Sequence, residues 1–222
     1  MSVICLLHGE EAARIGQLIV YGTPTLLAYL LGAIPFGYLI AKGRGGEDIR
    51  AAGSGNIGAT NVMRVVGAGA GAITLLLDAA KGYFAVWLAG RVTEGNVTWM
   101  MVAALAVILG HLFPVWLKFR GGRGVATGLG ALLVICATAV LAAAVIWLVV
   151  VFIWRYVSVG SIVASAALPL LTYWLYAPGY EPPWPVSLGV TLAALLIIAK
   201  HRPNLARLMA GTESRLTLGK SK

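Results

Sequence analysis

The chain is short of charge, short of acid and nearly without cysteine. Of its 222 residues only 11% are charged and 59% are hydrophobic, and Asp plus Glu number eight. A soluble domain carries about a quarter charged residues, so a charge-rich soluble surface is excluded. A basic nucleic-acid face on a soluble domain is excluded with it, although the net charge is +9. Cys5 and Cys136 have no CxxC or metal-type neighbour, which leaves two unpaired thiols in apolar surroundings. There is no HxxxxD box, because the residues five places after His8, His111 and His201 are Ala13, Trp116 and Ala206. No GxSxG elbow, HExxH pair or carboxylate cluster occurs, so neither metal nor cofactor is expected and two-metal phosphoryl chemistry is ruled out. The alternating segments of a membrane β-barrel are missing. Glu10, Glu11 and Arg14 interrupt the first apolar run, which excludes a signal peptide.

What the chain does have is long apolar runs, at residues 24–41, 67–90, 97–117, 125–154, 157–177 and 186–199. Runs of this length and composition predict an all-α polytopic membrane protein. The stretch 125–154 is too long for one ordinary crossing and short for two. If it crosses twice, by tilted or re-entrant helices of roughly 15 residues each, every basic loop falls on one side of the membrane. That gives about seven transmembrane helices, with the N-terminus outside and the C-terminus cytoplasmic. The expected organisation is an N-terminal extension at 1–22, one integral membrane domain at 23–215 and a C-terminal tail at 216–222. Small residues four apart, as in Gly67…Gly71 and Gly124…Gly128, suit close helix packing in lipid.

Three polar motifs interrupt the apolar runs. Gly53-Ser54-Gly55-Asn56-Ile57-Gly58 matches GxGxxG, with Asp78 twenty residues on. A dinucleotide fold is nonetheless excluded, since EDIRAA is not a buried strand and Asp78 lies inside a membrane-length apolar run. What survives is local: glycines let backbone N–H groups converge, and Ser54, Thr60, Asn61 and Arg64 can donate to a phosphate monoester. The second motif, His111 followed by Arg120-Gly121-Gly122-Arg123-Gly124 and Thr127, reads as a phosphate nest between two guanidiniums, which favour bidentate contact. It is not a Walker loop. The third, His201, Asn204, Arg207 and Glu213, has helical spacing beyond Pro203 and can face the same pocket; a solvated basic tail is the alternative. Asp78 and Lys81, three apart on a helix, read either as an ion pair that lowers the cost of charge in a span or, for Lys81, as a phosphate ligand.

Taken together, GSGNIGATN with Arg64, LLLDAAKG, GHLFPVW…FRGGRGVAT and HRPNLARLMAGTE resemble the bacterial acyl-phosphate-dependent glycerol-3-phosphate acyltransferases, the PlsY family. The resemblance covers roughly residues 24–213 and gives no counterpart to residues 1–22. It implies a seven-span fold in the bacterial inner membrane with the active site near the cytoplasmic face. The implied reaction passes a fatty acyl group from acyl phosphate to the 1-hydroxyl of glycerol 3-phosphate, without metal, coenzyme A or carrier protein. It further implies that Ser54, Arg64, Arg123, His201 and Asn204 are catalytic, with Arg123 standing where the family usually has Lys. The phosphate-binding set is Gly53, Gly55, Asn56, Gly58, Thr60, Asn61, Lys81, His111, Arg120, Gly121, Gly122, Gly124, Thr127, Arg207 and Glu213. The expected partners are glycerol 3-phosphate, fatty acyl phosphate and membrane lipid, with no nucleic acid and a monomeric state.

Overall fold

The computed structural model of the chain describes residues 16–45, 48–176 and 181–216. Most of the expected N-terminal extension, and the tail beyond residue 216, lie outside the described residues. Everything described is helix, turn or loop, with no strand among the described residues. Ten α-helices follow in order: α1 Thr23–Ala33, α2 Phe36–Gly45, α3 Ala59–Val65, α4 Ala68–Val92 and α5 Val97–Leu112, then α6 Val125–Leu133, α7 Ala137–Trp154, α8 Val157–Leu175, α9 Trp184–Lys200 and α10 Arg202–Met209. Among the described residues, five helical segments are long and apolar enough to cross a membrane, or six if α9 and α10, bent by 48° at His201, count as one.

The breaks have local causes. Pro35 has no N–H and disfavours helical geometry in the residue before it, so Ile34 takes ψ 114 and the first run splits into α1 and α2. That first run also begins earlier than the sequence suggests, since the apolar segment extends from Ile19 to Arg44. Pro114 ends α5 in the same way and leads into a 3-10 turn at Val115–Leu117. The long stretch 125–154 does divide, but not into the equal halves expected of it. α6 has nine residues and α7 has eighteen. At about 1.5 Å per residue α6 reaches roughly 14 Å, half of a hydrocarbon core.

α6 survives as a short helix because it packs on protein. A Cβ at Gly82 of α4 would strike the Thr127 carbonyl, and one at Gly130 of α6 would strike that of Ala79. Close approach between α4 and α6 therefore depends on these two glycines more than on the 124/128 pair. α5 forms the centre of the bundle, with Ala103, Ala104, Val107 and Ile108 fully buried. A second, smaller cluster of Ile49, Ile57, Val62 and Leu117 anchors the polar loops to the end of the bundle. The outward sides of α7 and α8 are apolar and exposed, as Val145 and Phe152 illustrate on α7 and Leu170 and Trp174 on α8, which suits helices that face lipid.

Candidate active site

The first polar motif folds around one side chain. Asn61 is 1% exposed, and its carboxamide nitrogen donates to the carbonyls of Asn56 at 2.8 Å, Ala52 at 3.1 Å and Ile49 at 3.3 Å. Its oxygen accepts the Ser54 N–H at 2.8 Å. Gly53 has φ +58 and leaves no room for a Cβ beside that oxygen, so only glycine fits. Asp48 closes the loop's other end by capping the turn Ile49–Ala51 and pairing with Arg50. The effect is to hold Ser54, Asn56, Gly58 and Thr60, with Arg64 one turn along α3, in the wall of a single cavity. Asn61, expected to bind phosphate, instead shapes the loop with its hydrogen-bonding capacity.

The second motif is pinned to the end of α5. Gly121 N–H donates to the Leu112 carbonyl at 3.3 Å and Gly122 N–H to that of His111 at 3.1 Å. A Cβ on Gly122 would collide with the His111 ring. Both amides are therefore used in packing, and the expected phosphate nest is not built from them. The open donors are one step further on. Gly124, at φ +84, starts α6, whose first-turn N–H groups have no helical partner. Gly124, Val125 and Ala126 line the cavity beside Arg123. Arg123 is half-buried; burial, with repulsion from Arg207 and Arg64 working against attraction to Glu213, lowers its pKa to about 10, so it stays charged at neutral pH. Arg120 is exposed and Thr127 fully buried, and neither lies in the cavity wall.

The third motif closes the polar end. His201 is 2% exposed, and its Nδ1 lies 2.7 Å from the Ile197 carbonyl. A carbonyl can only accept, so Nδ1 carries the proton and the neutral ring keeps its lone pair on Nε2. Asn204 is buried, and its Nδ2 donates to Glu213 at 2.6 Å, which leaves its Oδ1 without a protein partner. Glu213 also accepts from Ser158 at 2.7 Å and from Arg207 at 2.7 Å, tying the chain beyond α10 to the start of α8. Burial opposes that carboxylate, but the hydrogen bonds from Asn204, Ser158 and Arg207 outweigh it and hold its pKa below the ordinary value. The stabilisation is thus complete above the ordinary Glu range and lost as pH falls through the lower folded value. Melting curves between neutral and acid pH should show that loss in wild type and not in Glu213→Gln.

Lys81 is buried between Asp78 Oδ1 and the Ile34 carbonyl, each at 2.8 Å, and does not line the cavity. The structure thus gives it the ion pair, not the phosphate contact. The helix break at Pro35 is what makes the Ile34 carbonyl accessible to it. His111 Nδ1 stands 3.6 Å from the same Asp78 oxygen, and both residues reach the cavity. Gly53, Gly55, Gly121 and Gly122 support the loops from outside the wall, as Arg207 does through Glu213.

The cavity measures about 370 Å³ and has two unlike ends. Ser54, Thr60, Arg64, Arg123, His201 and Asn204 line one; Leu132, Val140, Ala143, Trp147, Ala164 and Leu168 line the other. The apolar end, together with Ser158, Ser161 and Ser165 on α8, was missed in the sequence. The i, i+3, i+7 spacing of those serines on an otherwise apolar helix was the available signal.

A helical bundle with lipid-facing sides, whose cavity joins a cluster of fixed cations to a hydrocarbon cleft, belongs to the class of membrane proteins that handle an anionic head and an apolar tail together. Comparison with known proteins is specific. Residues 23–211 match the family model for glycerol-3-phosphate acyltransferase. The glycerol-3-phosphate acyltransferase of Gluconobacter oxydans is 49% identical over 193 residues, covering 86% of this chain and 91% of that one. That of Mesorhizobium japonicum is 44% identical over 191 residues, covering 86% and 93%. The crystal structure of PlsY, an integral membrane glycerol 3-phosphate acyltransferase, in its glycerol 3-phosphate form superposes with TM-score 0.81 at 38% identity, covering 88% of this chain and 94% of that one. Its lysophosphatidic acid form gives 0.78 at 37% identity over the same shares. The chain belongs to the glycerol-3-phosphate acyltransferase family and is an enzyme of the PlsY type.

Proposed function

We propose that the enzyme transfers a fatty acyl group from acyl phosphate to the 1-hydroxyl of glycerol 3-phosphate, giving lysophosphatidic acid and inorganic phosphate as the first acylation of phospholipid synthesis. The observation that carries this reading is the single cavity whose cationic end runs directly into an apolar cleft. Both substrates are phosphate monoanions or dianions, and one carries a long hydrocarbon tail. Arg64, Arg123 and the free amides at the start of α6 hold the two phosphates close against their repulsion. The tail occupies the cleft between α6, α7 and α8.

In the reaction the glycerol oxygen attacks the acyl carbonyl, the bond from carbonyl carbon to phosphate oxygen breaks, and the phosphate leaves with its bonding pair. The hydroxyl proton passes to a phosphate oxygen. Ser54 and the Nε2 lone pair of His201 orient the attacking hydroxyl, and Asn204 Oδ1 accepts from a substrate donor. The cations gain most when negative charge gathers on the leaving phosphate, so they act by positioning and electrostatics. The whole unit is one integral membrane domain over 23–215, monomeric and free of cofactor. Seven crossings, with α6 as the short one, place the N-terminus outside and the site at the cytoplasmic face of the bacterial inner membrane.

The direct test is phosphate release by the purified protein from palmitoyl phosphate, with and without glycerol 3-phosphate. Release that needs both, matched by an equal amount of lysophosphatidic acid, is the expected result; activity with acyl-coenzyme A alone would overturn the donor. Because Arg123 serves here as fixed charge, Arg123→Lys should keep kcat/KM within about threefold. Arg123→Gln should lose about a hundredfold or more.

A further inference from the structure

Acyl transfer requires a hydrocarbon cleft but does not by itself say which chains the cleft admits, and α7 and α8 carry that information. The two helices run antiparallel from the tight turn at Arg155 and Tyr156. Their register is fixed by two contacts. Trp147 Nε1 donates to Ser161 Oγ at 3.2 Å, and Gly160 lies so close to Trp147 and Val151 that a Cβ there would press on both. Followed along the helices, that register sets Ala144 across from Ala164, Ala143 across from Ser165 and Val140 across from Leu168.

All six residues line the cavity. At the middle level the side chains are small, and that absence of bulk is what opens the cleft. At the next level Val140 and Leu168, packed with Leu132 of α6 in one buried cluster, fill it again. Ser158 marks the polar end through its bond to Glu213. From there to Leu168, just before Pro169, α8 advances on the order of 15 Å. The side wall is rigid too, because the Ser161 hydroxyl that holds the Trp147 indole is itself bonded to the Val157 carbonyl at 2.8 Å.

We propose that the floor formed by Val140, Leu168 and Leu132, with Trp147 pinned by Ser161 as the side wall, sets the acyl-chain length this enzyme accepts; this inference rests on the acyl-transfer function proposed above. A fatty tail is in hydrocarbon before it binds, so moving it into the cleft removes no apolar surface from water. Selection therefore depends on packing and steric exclusion. Methylenes that fit against Ala143, Ala144 and Ala164 gain contacts, and methylenes that meet the floor must displace packed side chains.

The test is competition between lauroyl and stearoyl phosphate for the full-length enzyme in lipid nanodiscs. Leu168→Ala, which lowers the floor, should raise the stearoyl-to-lauroyl ratio of kcat/KM about tenfold, and Ala144→Phe, which blocks the cleft above it, should lower the ratio about tenfold. Ser161→Ala frees the indole and should move the ratio about threefold toward no preference. Should Ala144→Phe fail to fold, Leu168→Ala, which only removes atoms, decides the matter. Active variants with the wild-type ratio would overturn the proposal. Thermal stabilisation by lauroyl- and stearoyl-lysophosphatidate reads the same selectivity without turnover. A failure of acyl phosphate as donor is thereby separated from a failure of the floor, and variants that leave that thermal ratio unchanged would equally overturn the proposal.

Discussion

Ser54→Ala and Arg64→Ala should each lower acyl transfer by a factor of about a hundred to a thousand, while the melting temperature stays within a few degrees of wild type. The two halves of this expectation come from different parts of the structure. Both residues line the cationic end of the cavity, where a donor aimed at developing phosphate charge is worth several kcal/mol, about the loss seen when one oxyanion donor is removed elsewhere. Neither side chain holds the fold. It is the Ser54 backbone, not its hydroxyl, that binds Asn61, and Arg64 is exposed. Exposed substitutions of that kind shift stability by about half a kcal/mol. Steady-state kinetics beside thermal unfolding in the same detergent separates the two effects. Wild-type rates in both variants would remove this cavity from the chemistry; a collapse of the melting temperature would mean that the loop depends on these side chains after all.

Asp78→Ala should do the opposite and cost stability first. Lys81 and Asp78 are 3% and 2% exposed and sit inside α4, a helix of membrane-crossing length. With the carboxylate gone, the ammonium keeps the Ile34 carbonyl and the face of the Phe36 ring but loses its counter-charge. An uncompensated buried charge costs about 3–5 kcal/mol, a large share of the stability of any domain of this size. The single variant should therefore show a lower melting temperature and a lower yield of folded protein. The double variant Asp78→Asn with Lys81→Met removes both charges at similar volume and should recover most of the loss. If the double variant is no better than the single one, the charge imbalance is not what destabilises it. Asp78 would then be acting mainly on His111, 3.6 Å away.

Sequence and structure agree wherever the physics is local. The apolar runs define the class of protein because nothing but burial or lipid tolerates them, and that requirement is cumulative along the chain. The helix breaks at Pro35 and Pro114 fall inside runs that the sequence presents as continuous, although their cause is local, as a missing N–H acts on its own turn. Ser54, Arg64, Arg123, His201 and Asn204 were singled out by the family resemblance of their motifs, and all five line the one cavity.

What the sequence left undivided was the work of each polar residue. Asn61 and Thr60 are neighbours of similar chemistry, yet one is consumed by four loop contacts and the other faces the cavity. Gly121 and Gly122 have the look of a phosphate nest, but their amides are used by the carbonyls of Leu112 and His111, residues that only the return of the chain brings near. For Lys81 the sequence offered both an ion pair with Asp78 and a phosphate contact, and the structure chose the ion pair. The unequal split of 125–154 into a half-length α6 and a full α7 was hidden as well, because α6 is stabilised by close contact with α4 across Gly82 and Gly130. The sequence thus determined what the chain must be surrounded by and which side chains were available for chemistry, since both follow from the polarity of residues taken in order. Only the tertiary structure decided which of those side chains share one cavity, and that a hydrocarbon cleft of α6, α7 and α8 opens from it, since packing between distant helices determines which hydrogen bonds are already satisfied and which remain free.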